Sequence, residues 1–328
     1  MNHPKGLYYL AFTEAWERFS FYGMSALLVL YMVNQLLLPG HVENIAGFTA
    51  FRTTVESVFG PLSTQALASQ IFGMYAGFVY FTPLLGGIIA DRWIGQRSAV
   101  VIGALFMSGG HIAMAFDWSF LLALLLLVAG SGFIKGNISA QVGALYPRDD
   151  EARRTRGFAI FSMGINFGAV FGPLVCGLLA QAFGWHYGFG IAAIFMLAGL
   201  ATYLYGYRHL PAKVERRTGE KSELTSADWR VIGALVAVMA ITVFQSIGYY
   251  QLGNVLPVWI QEHVALEVAG HTVPIPWYQS IDPLFSILGV PVLFWIWRRQ
   301  ASRDREPGDL GKIGTGAWLC AAANLVLV

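Results

Sequence analysis

Long apolar segments separated by short polar connections organise this 328-residue chain. Each apolar segment is close to the roughly 20 residues that an α-helix needs to cross a bilayer, and few of them contain charges. The pattern predicts nine spans, at about 8–33, 66–90, 98–116, 119–145, 157–182, 187–207, 230–260, 277–297 and 312–328. We therefore expect an all-α polytopic membrane protein.

The basic residues fall on alternate sides of these segments. All but three of the 21 Lys and Arg residues lie in the connections on one side. Of the three, Arg52 lies on the other side, whereas Arg18 and Lys135 lie within predicted spans. Because basic connections stay in the cytoplasm, the positive-inside rule predicts a multi-pass protein of the cytoplasmic (inner) membrane with a cytoplasmic N-terminus.

The composition agrees with this topology. Hydrophobic residues make up 56% of the chain and charged residues only 12%, whereas soluble domains have about 25% charged residues. The net charge of +2 comes with no basic stripe that would indicate nucleic acid as a partner. The two cysteines, Cys176 and Cys320, lie in predicted spans, so we expect neither a disulfide framework nor a metal site.

A polar, charged stretch divides the chain after the sixth span. We predict an N-terminal six-helix bundle at 1–207, a cytoplasmic linker at 208–229 and a partial C-terminal bundle of about three helices at 230–328. Transporters are commonly built from paired repeats, so six helices followed by three are unequal halves. We therefore expect a truncated chain, with a complete first half and part of the second.

Three ionisable residues share one face of the first span. Glu14, Glu17 and Arg18 have i, i+3, i+4 spacing and so lie together on a helix. A charge at the bilayer centre costs about 2.5 kcal/mol or more, and Lys135 in the fourth span carries the same cost. We expect these charges to face a protein interior, where the two glutamates are the candidate partners of Lys135. Two interpretations are open, a pathway for protons or substrate and a purely structural salt bridge.

The connection after the second span carries a family signature. Residues 86–97 read GGIIADRWIGQR and resemble the charged loop between helices two and three of the major facilitator superfamily. The resemblance implies the major facilitator fold, and the glycines permit close approach of helices. Asp91, Arg92 and Arg97 are candidates for a charge cluster that latches the cytoplasmic side, and an ordinary charged turn is the alternative.

Five further motifs narrow the resemblance to the proton-dependent oligopeptide transporter (POT) family. They read EAWERFSFYG at 14–23, FVYFTPLLGG at 78–87, GFIKGNIS at 132–139, FSMGINFG at 161–168 and WYQSIDPLF at 277–285. They occur in the order of the family and cover nearly the whole chain, so the match is specific. The resemblance implies a proton-coupled symporter of di- and tripeptides that works by alternating access.

Site roles follow from the resemblance, residue by residue. In the family, the charges of helix one and the lysine of helix four couple protonation to substrate binding. The resemblance implies this role for Glu14, Glu17, Arg18 and Lys135. The candidate substrate-binding residues are Arg18, Tyr22, Tyr80, Lys135, Asn137, Asn166, Gln251, Asn254 and Asp282. Hydrogen bonding between helices is the alternative for the tyrosines and asparagines of the first half.

Several positions depart from the family pattern. Tyr250 stands near the place of an acidic residue in helix seven, which leaves Gln251 and Asn254 as polar groups there. Asp282 stands where the family motif has asparagine. It is a candidate to bind the substrate's amino terminus or a proton, unless it is solvated near the membrane surface. Phe21 replaces the first tyrosine of the family's YYG sequence and removes one hydroxyl from the pocket.

The leading interpretation is proton-driven symport, with small peptides, protons and the lipid bilayer as partners. The inward proton gradient supplies the work, so we expect no cofactor. No Walker, HExxH or GxSxG motif indicates an enzyme. Two alternatives are open, a non-transporting truncated fragment of such a carrier and a relative that moves another small anion such as nitrate. Nothing in the sequence indicates an oligomeric state.

Overall fold

Eleven α-helices and one short β-hairpin form the part of the chain that the computed structural model describes, residues 3–147, 149–211, 225–268, 270–303 and 305–326. The helices are α1 Lys5–Tyr31, α2 Phe48–Phe59, α3 Thr64–Ile89, α4 Gln96–Ala113, α5 Phe120–Ala144, α6 Glu151–Phe183, α7 Trp185–Gly206, α8 Ser226–Tyr250, α9 Val255–His263, α10 Ile281–Ala301 and α11 Asp309–Val326. The antiparallel strands are β1 Glu267–Val268 and β2 His271–Thr272. The predicted all-α architecture is confirmed.

Seven of the described helical segments are long and apolar enough to cross a membrane. They are Lys5–Leu36, Thr64–Ile94, Asp117–Ala144, Glu151–Phe183, Trp185–His209, Ser226–His263 and Ile275–Ala301. Each of the seven overlaps one predicted span. The predicted spans at 98–116 and 312–328 also form helices, α4 and α11, each of 18 residues. These two helices are not among the seven, so their membrane crossing stays a prediction.

Helix α1 is buried along almost all of its length. It packs against α6 and α7. This burial explains why α1 has apolar residues on all of its faces. Two glycines of α6 permit this approach. A Cβ on Gly168 would lie 2.5 Å from Cβ of Arg18, and a Cβ on Gly172 would lie 2.5 Å from the carbonyl oxygen of Phe19. Backbone contacts this close fix the position of Arg18 against α6.

Glycines also bring α5 close to α3 and α4. A Cβ on Gly86 of α3 would clash with the carbonyl oxygen of Gly132 in α5. A Cβ on Gly103 of α4 would lie 2.7 Å from the carbonyl oxygen of Gly130, also in α5. Packing through small residues is typical of membrane helices, since it lets their backbones approach closely. It places Lys135 of α5 beside α3.

The chain forms two compact units. The first comprises Met1–Arg216 and Pro257–Leu284 and contains the buried apolar cluster. The second comprises Arg217–Leu256 and Phe285–Val328. Within the second unit α8 and α11 are in contact. Helix α8 begins with a capping box, in which the Thr225 side chain accepts from the backbone of Asp228 and the Asp228 carboxylate accepts from the backbone of Thr225.

The first unit extends beyond the predicted six-helix bundle because residues 257–284 pack against it. The hydroxyl of Ser280 donates to the carbonyl oxygen of Val170 at 2.7 Å, and Nε1 of Trp277 donates to that of Leu174 at 2.8 Å. Both acceptors lie on α6. The sequence-based division assigns this segment to the C-terminal bundle. The predicted linker 208–229 lies largely outside the described residues, and the division into halves stays a prediction.

The β-hairpin belongs to the same segment. Val268 pairs with His271 across the two strands. Gly270 in the turn has a φ of 78°, in the left-handed region that favours glycine. Nε2 of Gln181 donates to the carbonyl oxygen of Thr272 at 3.0 Å. This hydrogen bond anchors the hairpin to the end of α6.

Candidate functional site

A buried charge cluster forms on α1. Nε of Arg18 lies 2.9 Å from Oε1 of Glu14 and 2.5 Å from Oε2 of Glu17. At most 6% of each of these side chains is exposed. An i, i+4 pair with the glutamate on the N-terminal side brings Glu14 and Arg18 together on one helix face. The three charges thus lie together, as their spacing predicts.

Lys135 reaches this cluster from α5. Its Nζ lies 4.7 Å from the ring centroid of Phe21 and 4.1 Å from that of Tyr80, both within the range of a cation–π interaction. Among the described residues, no carboxylate oxygen lies within 4.0 Å of Nζ. Glu14 and Glu17, the candidate partners of Lys135, both contact Arg18, and Nζ of Lys135 contacts two aromatic rings.

The charges of the cluster balance when every group is ionised, since it contains two carboxylates and two cations. Lys135 interacts electrostatically with Glu14, Glu17 and Arg18 over a longer distance than a direct ion pair. Such interactions are stronger in a protein interior than in water. Adding a proton to one glutamate would leave a net charge of +1, which a bound anionic group can neutralise.

The polar residues predicted to line the pocket around this cluster differ in exposure. Tyr80 is 54% exposed, and Tyr22 and Asn166 are half-buried. Asn137 is only 2% exposed, and its Nδ2 donates to the carbonyl oxygen of Phe133 one turn earlier at 2.9 Å. Tyr22, Tyr80 and Asn166 therefore keep accessible surface for a ligand, whereas the amide N–H of Asn137 is used within α5.

The remaining predicted substrate-binding residues lie farther along the chain. Gln251 and Asn254 follow α8 in the second unit, and Nε2 of Gln251 donates to the carbonyl oxygen of Ile247 at 3.1 Å. Asp282 lies in the first turn of α10 and is exposed. No described residue of α10 is buried, so the exposure of Asp282 does not distinguish a binding role from solvation near the membrane surface. The binding roles of these three residues stay predictions.

The predicted cytoplasmic charge cluster lies in the turn between α3 and α4. Gly95 in this turn has a φ of 79°, a backbone conformation that favours glycine. Asp91 and Arg92 are exposed there. Oδ1 of Asp91 accepts a hydrogen bond from Nε2 of Gln96 at 3.3 Å.

Arg97, the third member of that predicted cluster, contacts the segment after α7. Its guanidinium lies 4.8 Å from the ring centroid of Tyr207 and donates to the carbonyl oxygen of Leu210. These contacts tie the start of α4 to the end of α7. The latch function of the three charges stays a prediction.

The ring of Phe21 occupies a position that its motif does not reveal. Its centroid lies 5.4 Å from Cζ of Arg18 and 4.7 Å from Nζ of Lys135, so one ring contacts both cations. The sequence marks Phe21 only as a missing hydroxyl. The contact with Lys135 depends on how α5 packs beside α1, and no spacing within one motif encodes that packing.

A second polar cluster forms at the other end of α1, and no motif identified it. The hydroxyl of Tyr31 donates to Oδ1 of Asp117 at 2.5 Å. Nδ1 of His41 lies 2.9 Å from Oδ2 of the same carboxylate, and Nε2 of His186 lies 3.6 Å from Oδ1. This cluster joins α1, the loop that follows it and the starts of α5 and α7.

The membrane-length helices and the buried cluster of ionisable residues define a polytopic helical membrane protein with a polar interior. The fold of this protein resembles the fold seen in crystal structures of other membrane proteins. The crystal structure of a mutant of the peptide transporter POT in complex with alafosfalin aligns with a TM-score of 0.69 and 30% identity, over 92% of this chain and 70% of that chain. The predicted major facilitator fold is confirmed by this likeness.

Sequence comparisons identify the family. The family model described as PTR2, POT family, matches residues 97–221 and 211–328. The di-/tripeptide transporter of Lactococcus lactis subsp. cremoris is 30% identical, over 99% of this chain and 75% of that protein. The transporter YclF of Bacillus subtilis (strain 168) is 28% identical, over 100% of this chain and 74% of that protein. The chain belongs to the POT family, and it spans about three quarters of the length of these relatives.

Proposed function

We propose that the protein carries di- and tripeptides together with protons across the cytoplasmic membrane. It does so by alternating access, with its N-terminus in the cytoplasm. Family membership supports the peptide substrate, since a relative of 30% identity is a di-/tripeptide transporter. The buried cluster of Glu14, Glu17, Arg18 and Lys135 is the observation that carries the proposal for proton coupling.

Protonation acts on the balance of this cluster. Both short carboxylate contacts go to Arg18, so a proton on Glu14 or Glu17 weakens the hold on its guanidinium. The cluster then has an excess positive charge in the protein interior. This buried charge is energetically unfavourable until an anion binds beside it. The carboxylate of a peptide supplies that anion. Proton and peptide therefore enter together, because each lowers the cost of the other.

The surrounding residues fit a ligand with both charged and amide groups. Arg18 and Lys135 offer cations for the substrate carboxylate, and a bidentate guanidinium contact is the stronger of the two. The accessible groups of Tyr22, Tyr80 and Asn166 supply hydrogen bonds to peptide amides without adding charge. In this proposal specificity for small peptides comes from the neutral groups and coupling comes from the charged ones.

The test is uptake of a radiolabelled dipeptide into liposomes that contain the 328-residue protein, with and without an inward proton gradient. Glu17→Gln and Lys135→Ala are the test variants. The control is Glu56→Gln, which removes a carboxylate of α2 paired with Arg52 at 2.9 Å, away from the buried cluster. The hydrogen bond from Arg52 lowers the pKa of Glu56, so this control also removes a charged glutamate.

We expect gradient-driven uptake in the unmodified protein and in Glu56→Gln, and its loss in both test variants. Equal uptake with and without the inward proton gradient would contradict proton coupling but would still support peptide transport. Nitrate uptake without peptide uptake would overturn the peptide assignment. Uptake of neither solute would favour the non-transporting alternative.

A further inference from the structure

The ring of Phe21 lies at the junction of the two cations of the site. It is 7% exposed, and its centroid is 4.7 Å from Nζ of Lys135 and 5.4 Å from Cζ of Arg18. Tyr22 and Tyr75 contact the same ring, at centroid distances of 5.2 Å and 6.5 Å. Aromatic packing thus holds the ring of Phe21 in place beside both cations.

Lys135 depends on this ring more than Arg18 does. Arg18 has two carboxylates within 2.9 Å. Nζ of Lys135 is buried, and among the described residues it has no hydrogen-bond acceptor. Its cation–π contacts in that part of the chain are with the rings of Phe21 and Tyr80. A desolvated ammonium is stabilised by the negative face of an aromatic ring.

We propose that Phe21 is a positioning residue, whose ring holds the charged ammonium of Lys135 in the site and apart from Glu14 and Glu17. The inference rests on the proposed function and deepens it. With Lys135 over the ring, the two glutamates keep Arg18 as their partner. The ammonium then stays available for the substrate carboxylate, and the ring takes over the stabilisation that a carboxylate would otherwise give.

The first test is the pH profile of proton-driven dipeptide uptake in Phe21→Leu and Phe21→Tyr. Leucine keeps an apolar side chain but has no π face, whereas tyrosine keeps the ring. The charged form of Lys135 loses stabilisation in Phe21→Leu. The pH at which uptake declines on the alkaline side of the profile should therefore be about one pH unit lower than in the unmodified protein. Phe21→Tyr should keep the profile of the unmodified protein.

Phe19→Leu is the matched control. Phe19 lies on the same helix and is 2% exposed, and its ring packs on Phe195 at a centroid distance of 4.2 Å. The charged and titratable groups that face Lys135 are Glu14, Glu17 and Arg18 on α1 and Tyr80 on α3. All of them remain in both leucine variants. Phe19→Leu should therefore lower the amount of uptake without moving its pH profile.

The second test measures the contact without transport. A double-mutant cycle combines Phe21→Leu with Lys135→Met and measures the apparent melting temperature of each variant in detergent. Lys135→Met removes the charge and keeps a flexible apolar side chain. We expect Phe21→Leu to lower the melting temperature less when Lys135 is already Met. Equal effects in both backgrounds would overturn the proposal, even if neither protein transports peptide. An unchanged pH profile in a transporting Phe21→Leu variant would also overturn it.

Discussion

The side-chain amides of Asn34 and Gln261 donate hydrogen bonds to each other. Nδ2 of Asn34 lies 2.8 Å from Oε1 of Gln261, and Nε2 of Gln261 lies 3.0 Å from Oδ1 of Asn34. Asn34 lies in the π-helical turn that follows α1, and Gln261 lies in α9. The reciprocal pair therefore joins the end of α1 to the segment 257–284 of the first unit.

This amide pair should show energetic coupling between Asn34→Ala and Gln261→Ala. Each single change removes both hydrogen bonds, so the double variant should lose little beyond either single one. We expect a coupling energy of about 0.5–1 kcal/mol. This value is low for two hydrogen bonds because the pair is exposed and water competes for both amides. Denaturant unfolding in detergent micelles measures it. Strictly additive losses would show that the pair contributes nothing.

Ser280→Ala should destabilise the first unit. Ser280 is 3% exposed and donates to the carbonyl oxygen of Val170 at 2.7 Å, so the change removes a buried hydrogen bond. We expect a loss of about 1 kcal/mol in the free energy of unfolding. Ser246→Ala is the control, because the exposed Ser246 bonds to Thr242 within its own helix. Equal losses in both variants would contradict a special role for Ser280.

Gly168→Ala should disturb both packing and transport. A Cβ at this position meets Cβ of Arg18 at 2.5 Å, and both atoms are held by helix backbones. We expect a loss of about 1–3 kcal/mol from overpacking, together with reduced peptide uptake because Arg18 must shift. In the control Gly190→Ala, the new Cβ has no heavy atom within 4 Å. That change within a helix should be neutral or stabilising by up to about 1 kcal/mol.

Tyr31→Phe should cost more stability than Tyr203→Phe. Tyr31 donates to the carboxylate of Asp117 at 2.5 Å, whereas Tyr203 donates to the neutral amide oxygen of Gln141 at 2.9 Å. Hydrogen bonds to charged groups contribute about 1.5–3 kcal/mol and neutral ones about 1 kcal/mol. Thermal unfolding of the two variants in the same detergent makes the comparison. The reverse order would show that Asp117 does not use this hydrogen bond for stability.

The parts of the fold that depend on one helix at a time were predictable from the sequence. The apolar run at 8–33 predicts α1 within a few residues, because length and apolarity alone decide a spanning helix. The i, i+4 spacing of Glu14 and Arg18 likewise places them in contact, because one helix geometry sets their distance. The relative positions of residues within a single helix can be predicted without knowing which helices pack against it.

Contacts between helices were not predictable in the same way. The sequence offers Glu14 and Glu17 as candidate partners of Lys135 and does not reveal that its Nζ lies over Phe21 and Tyr80. Nor does the sequence reveal that Arg97 contacts the segment after α7. Both outcomes depend on how one helix packs against another, and periodicity within one helix does not carry that information.

The packing of residues 257–284 against α6 has a consequence for synthesis of the protein. Helices α1–α7 leave the ribosome before this segment does, because translation begins at the N-terminus. Until the segment arrives, the side of α6 near Val170 and Leu174 lacks the donors that Ser280 and Trp277 later supply. The nascent bundle of α1–α7 is therefore incomplete on this side of α6. We expect lipid or the insertion machinery to cover that side until residues 257–284 have been synthesised.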